Sequence, residues 1–367
     1  MDIGRHILKF LLISAAVAAV FACKKDDEEQ EVLPSLGGSL RFDAEPYILQ
    51  GDSLTFVPSG IYHPDGAGIG FYWQVSPSEE ARCTTKVESD PSTVTGQFGF
   101  RFRNDTLGTF TVSCTAFASG YYSTTSSRYV TVVDPAESVI DSTLGFDESR
   151  FTYFKDERDG HTYRYVRIGS YDWFAKNLAY KGTDGAEVGI AYENAEAMSD
   201  VFGRYYTWNE AMGIDGDGAE TGTGICPPGW EVPDSEAWLD LANSLSADGE
   251  GSFTNALENF DGIAGKMMVD AKFNSADNGM WEYFPEVQIT NESGLCIIPC
   301  GFANIAGGSG TFESVNLFAA FWTADSNTEN QEQAFIRYIN VEAPDLFITS
   351  TPKTSFGATV RCVRKTE

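Results

Sequence analysis

The sequence holds three histidines in 367 residues, so it offers little for imidazole catalysis or a histidine-based metal site. Positive charge is also scarce: 25 Lys and Arg face 53 Asp and Glu, a net charge of -28. A chain that acidic repels phosphate backbones, which excludes nucleic acid as a partner. The apolar run from Phe10 to Phe21 is too short to span a bilayer stably. Long helical patterns are few, whereas 36 Gly and 13% aromatic residues suit short strands and tight turns. With 42% hydrophobic and 21% charged residues the chain can build cores. At this length about two or three domains are expected. The composition is that of a β-rich extracellular protein, and catalysis begins as the minority hypothesis.

Arg5, His6 and Lys9 precede the Phe10 to Phe21 run, the arrangement of a secretory signal over residues 1–22. The run ends Val20-Phe21-Ala22-Cys23, which resembles the bacterial lipobox, in which the cysteine is acylated and the chain is cut before it. Phe21 is bulkier than that motif prefers. A plain signal peptide with an incidental cysteine is the alternative. Lys24 to Glu31 is a solvated charge run, so residues 23–38 read as a lipidated flexible acidic tether. Acidic residues behind a lipidated cysteine resemble the surface-export signal of Bacteroidetes lipoproteins. That resemblance implies an outer-membrane lipid anchor exposed at the cell surface; a periplasm-facing tether is the other reading.

Setting Cys23 aside from the seven cysteines leaves Cys83, Cys114, Cys226, Cys296, Cys300 and Cys362. An even number in an exported chain points to disulfides. Residues 39–134 alternate in period two, as in Gly70 to Val75 and Phe110 to Ala116, with turn clusters such as His63-Pro64-Asp65-Gly66 between the runs. This pattern describes an all-β sandwich resembling bacterial immunoglobulin-like and PKD domains, with Trp73 filling its core. A bond from Cys83 to Cys114 is one option there, and two free buried thiols the other. Residues 135–146 read as a linker that no contact is expected to cross. Helices are expected at Glu193 to Phe202 and, opened by Pro233-Asp234, at Ser235 to Leu245.

Beyond the linker, Asp156-Glu157-Arg158-Asp159-Gly160-His161-Thr162-Tyr163 and Trp173-Phe174-Ala175-Lys176-Asn177-Leu178 are followed by Gly203-Arg204-Tyr205-Tyr206-Thr207-Trp208. Cys226-Pro227-Pro228-Gly229-Trp230, Phe321-Trp322-Thr323 and Val360-Arg361-Cys362-Val363 come later in the same order. These landmarks resemble the Fibrobacter succinogenes major paralogous (FISUMP) domain, here over residues 147–367. The resemblance implies an α+β, C-type-lectin-like fold, so the chain is read as multidomain, an all-β sandwich followed by that module. It also implies a bond between Cys226 and Cys362. Cys296 and Cys300 lie outside the family pattern. They could bond to each other about a turn at Pro299, but not along an extended strand.

Several motifs invite chemistry. Gly51-Asp52-Ser53-Leu54 spells a lipase-like signature, but its hairpin setting makes Ser53 a turn residue rather than a nucleophile, and neither His63 nor His161 has the expected partner. Asp215, Asp217 and Glu220, interleaved with glycines, form a candidate Ca²⁺ loop lacking the full EF-hand pattern, so no cofactor is assigned beyond that candidate calcium. The sugar-binding calcium motifs of vertebrate lectins are absent. Trp281, Tyr283 and Phe284 form an aromatic cluster that could present rings to a ligand, against the alternative that they pack inside. Glu282 and Glu286 could pair as acid and base in a glycan-degrading enzyme. The expectation is a non-catalytic surface lipoprotein that binds a glycan or an outer-membrane protein, a starch-utilisation-type TonB-dependent importer among the candidates. A structural fimbria-like subunit is a further alternative.

Overall fold

The computed structural model describes residues 32–77, 100–103, 106–134, 147–183, 185, 187–214, 224–246, 253–272, 274 and 279–366. Cys23, Cys83, Asp215, Asp217 and Glu220 lie outside the described residues, as do residues 135–146.

The alternating segments of the N-terminal part are strands. They are β1 (Gly37–Arg41), β2 (Tyr47–Leu49), β3 (Ser53–Phe56), β4 (Ser59–Tyr62), β5 (Gly70–Ser76), β6 (Phe100–Arg103), β7 (Gly108–Phe117) and β8 (Thr124–Val133). One sheet has the order β2-β8-β7-β5, with β2 parallel to β8; β1 pairs with β4, and β3 with β6. Period two decides what is buried. β5 turns Phe71, Trp73 and Val75 inward, and β7 turns Phe110, Val112, Cys114 and Ala116 inward. Trp73 is 1% exposed and meets Phe42 edge-on at 5.1 Å, the central position expected of it. Cys114, opposite Trp73 in the register, is a free buried thiol, so the bonded option for it is set aside. Burial pushes its pKa up to about 12, leaving it a small apolar side chain.

The C-terminal part contains β9 (Thr152–Lys155), β10 (Thr162–Ile168), β11 (Tyr171–Phe174), β12 (Phe302–Ala306), β13 (Ser309–Glu313), β14 (Phe318–Ser326), β15 (Gln333–Asn340), β16 (Leu346–Pro352), β17 (Phe356–Gly357) and β18 (Val363–Lys365). Among the described residues they form three small sheets, ordered β18-β11-β10-β9, β13-β12-β17 and β14-β15-β16. Helices α1 (Ala197–Phe202), α2 (Trp208–Ala211), α3 (Ser235–Leu245) and α4 (Ala264–Met267) lie between them in sequence. The chain is thus β-rich in both parts. Helix α3 begins where Asp234 accepts a hydrogen bond from the Ala237 amide, and it buries Ala237, Trp238, Leu241 and Ala242 on one face. The other expected helix is shorter than Glu193 to Phe202. Glu193 and Asn194 sit at φ 53° and 54°, a left-handed pair that breaks the run before Ala197.

Cys226 and Cys362 are bonded across a sequence separation of 136 residues, as the family resemblance implied. Cys296 and Cys300 are not bonded; each is a buried free thiol. Their side chains take separate partners, the Cys296 sulfur lying 3.2 Å from Asn291 Nδ2 and the Cys300 sulfur 3.6 Å from Asn177 Nδ2.

The absence of contact across the linker does not hold. Asn274 donates to the Val132 carbonyl at 2.8 Å and accepts from the Asp134 amide at 3.0 Å, while Tyr47 packs on Tyr192 at 6.0 Å. Val133 belongs to the main C-terminal core.

Removing the disulfide frees a loop of 136 residues, worth about 5 kcal/mol in the chain-entropy account. The Cys226→Ala, Cys362→Ala double variant should therefore unfold at markedly lower urea than the parent chain, followed by tryptophan fluorescence. An unchanged midpoint contradicts this.

Candidate functional site

The segment from Gly279 to Thr290 crosses helix α4 as an irregular loop held at intervals by the chain beneath it. Met280 donates its amide to Ala271 at 2.7 Å, Glu282 to Asn316 at 2.9 Å and Thr290 to Gly265 at 2.9 Å. Gly265 has no space for a side chain, because a Cβ there would collide with the Gln288 carbonyl. Here the aromatic cluster divides. Trp281 is 5% exposed and donates its indole N–H to the Ile297 carbonyl at 3.2 Å, so it anchors the loop and leaves the proposed contact patch. Phe284 is half-buried against the main core. Tyr283 is 88% exposed at the crest. Sequence alone could not divide them, since period two or 3.6 has no meaning in a loop.

The far end of the loop, from Glu286 on, walls a shallow cavity of about 200 Å³ whose lining includes Lys266, Glu286, Gln288, Thr290 and Glu292. Lys266 donates to the Leu245 carbonyl at 2.8 Å and stands 3.7 Å from the Glu292 carboxylate. An exposed ring can stack on a planar ligand face, and the amide, hydroxyl and carboxylate groups of the recess can take ligand hydroxyls. Lys266 and Gln288 were not singled out from the sequence; the tight Gly265 approach that brings them together leaves no sequence signal.

The other candidates are scattered. Ser53 opens strand β3 opposite Arg103, behind a turn at Gly51 with φ 88°, a setting unlike the strand-to-helix turn of a nucleophile. The Nδ1 of His63 accepts from the Asp65 amide at 3.1 Å, which makes it part of a turn. Cys300 and Cys296 are held protonated by burial, Cys300 up to about 11. Among the described residues, no three His, Cys, Asp or Glu side chains are placed to share a metal ion.

Residues 166–364 match the model of the Fibrobacter succinogenes major domain, a match that begins after the Asp156 to Tyr163 segment. No curated protein matches the chain. Among solved structures, a quinonprotein alcohol dehydrogenase-like protein from Bacteroides thetaiotaomicron VPI-5482 aligns at 13% identity over 88% of this chain and 95% of its own. The TM-score of 0.17 is too low to infer a shared fold.

His161 lies between two carboxylates, with Asp200 Oδ1 3.3 Å from Nε2 and Asp159 Oδ2 3.0 Å from Nδ1. The second is a charge contact off the line that a hydrogen bond needs. The Asp200 hydrogen bond and the Asp159 charge raise the His161 pKa above its ordinary 6.5, outweighing burial. A raised folded value means stabilisation that is complete below the unfolded pKa and is lost as pH rises through the folded one. The stability gap between the parent chain and His161→Gln, measured by urea unfolding, should be wider at acidic than at alkaline pH. A gap independent of pH contradicts the assignment.

Proposed function

The chain belongs to the Fibrobacter succinogenes major domain family, and we propose that it is a non-catalytic binding or adhesion lipoprotein of the outer membrane. In this reading Cys23 carries the lipid, the residues after it form an acidic tether that ends at Pro34, whose carbonyl accepts from the Tyr122 amide ahead of strand β1, and the sandwich is an immunoglobulin- or PKD-like spacer. The C-terminal lobe is a lectin-like module that meets a ligand outside the cell. The ligand is a glycan or an outer-membrane protein, a TonB-dependent glycan importer of the starch-utilisation type among the candidates. Tyr283 carries the proposal. A tyrosine 88% exposed on a loop tied down at both ends costs apolar surface in water and contributes nothing to the core, which fits a contact residue. Tether and spacer lift that crest away from the bilayer, which suits an external ligand more than a small diffusible substrate.

Two variants separate ligand contact from packing. Tyr283→Ala should leave the unfolding midpoint unchanged and weaken ligand binding about tenfold or more, as an exposed hot-spot aromatic does. Trp281→Ala should instead destabilise the chain by about 3–5 kcal/mol, the cost of emptying a buried indole site. Full-strength binding by Tyr283→Ala, read by glycan-array and pull-down titration, would remove the loop from the proposal.

The anchor is tested independently. Cys23→Ala should give a species that leaves the membrane fraction and lacks an acyl adduct by mass spectrometry. Membrane association that survives the change, with no adduct on the parent chain, rejects lipidation.

A further inference from the structure

The exterior of the sandwich departs from the rest of this acidic chain. Period two sends Thr109, Thr111, Ser113 and Thr115 of β7 outward while their neighbours fill the core. Opposite them on β8, in register, stand Thr131, Tyr129, Ser127 and Thr125. The hydroxyls meet in rungs: Thr109 with Thr131 at 2.9 Å, Ser113 with Ser127 at 2.8 Å and Thr115 with Thr125 at 2.8 Å. On the other side of β7, strand β5 adds Tyr72, Gln74 and Ser76. No outward position named on these three strands is charged, although the whole chain carries -28. Tyr129 is 72% exposed and Tyr72 42% exposed.

We propose that this outward face of β5, β7 and β8 is a binding surface for a neutral polysaccharide. The charge pattern selects the partner. An anionic ligand finds no cation at the described outward positions and is repelled by the net charge of the chain. A second copy brings another -28 and the same repulsion. A protein hot spot needs a desolvated apolar centre, and here the centre is hydroxyl. A neutral sugar chain meets both features. In each rung one hydroxyl donates to the other, which leaves an O–H and several lone pairs facing outward for sugar hydroxyls.

The Tyr129 ring completes the fit. Tyr72 shares a row with Thr115 and Thr125, and Tyr129 shares one with Thr111 and Ser76. A sugar unit stacks its C–H face on the Tyr129 ring, with the hydroxyls of its neighbours on the rungs. These residues differ from those of the Tyr283 loop, so the two surfaces can fail separately.

Affinity electrophoresis of the full chain through gels containing amylopectin, xyloglucan, galactomannan or dextran tests the idea, with alginate as the anionic control. Retardation is expected in at least one neutral gel and not in alginate. Tyr129→Ala and Ser127→Asp should each raise the dissociation constant tenfold or more, Tyr129→Trp should retain binding, and circular dichroism should show all three folded. The proposal is overturned by no retardation in any neutral gel, by retardation in alginate alone, or by face variants that bind like the parent. Retardation abolished by Tyr283→Ala but not by Tyr129→Ala or Ser127→Asp would overturn this face while leaving the loop reading intact. No retardation of the parent chain in any gel would sink the glycan form of the loop reading as well. A variant that shifts the chain from dimer to monomer on gel filtration, with no change in retardation, would reassign the face to self-contact.

Discussion

Arg361 is 2% exposed at the centre of the C-terminal lobe, and the rest of the lobe is arranged around keeping its charge satisfied. Its guanidinium donates to the Asn177 side chain at 2.5 Å, the Leu295 carbonyl at 2.6 Å and the Phe174 carbonyl at 3.1 Å. Asn177 passes the connection on, donating to the Phe202 carbonyl at the end of helix α1. Segments distant in sequence are thereby fixed by one planar fork. Burial pulls the Arg361 pKa down to about 10, still far above neutral, so the cation persists and its acceptors must persist with it. Breaking such a site strands a buried charge, a far larger penalty than a surface ion pair could impose.

Other arginines repeat the device at the margins. Arg337, fully buried, reaches the Glu258 and Ala256 carbonyls and lies 3.9 Å from the Phe260 ring centre. Arg204 takes the Val188 and Gly189 carbonyls together with Glu196. Arg158 grips Asp156 and donates to the Ile225 carbonyl, next to the disulfide at Cys226. Short strands and four-residue helices leave many carbonyls without a ladder partner, and buried guanidinia answer that need with five donors each. The same logic explains how a lobe with little regular structure can hold a loop such as Gly279 to Thr290 in one shape.

What could be read in the sequence follows from which physics is local. Period two identified the strands around Trp73 and Phe110, because alternation and burial are the same fact in a half-buried sheet. Asp234 ahead of Ser235 marked a helix start, since capping chemistry acts within a few residues. The Cys226 to Cys362 pairing came from family resemblance, because spacing alone does not bring two sulfurs together. Asn274, which ties the sandwich to the lobe, carried no signal at all. Its partners at Val132 and Asp134 lie about 140 residues away, and one polar side chain in a loop has no pattern. The Trp281 and Tyr283 difference was illegible for the same reason: inward and outward in a loop are set by what lies beneath it.

The charge balance ties the interior to the surface. Arginines buried on neutral acceptors, Arg337 and Arg361 among them, are unavailable to offset the exposed carboxylates, so a chain with 25 cationic residues presents a more acidic exterior than its composition suggests. Such an exterior opposes self-association and contact with anionic surfaces at long range, within the reach allowed by salt. Against that field, surfaces lacking charge are where close approach costs least. The hydroxyl face of the sandwich carries no charge at its described outward positions, and the loop that exposes Tyr283 walls at its far end a recess where Lys266 offsets Glu292. A neutral, hydrogen-bonding ligand is therefore the kind for which this molecule leaves an approach open.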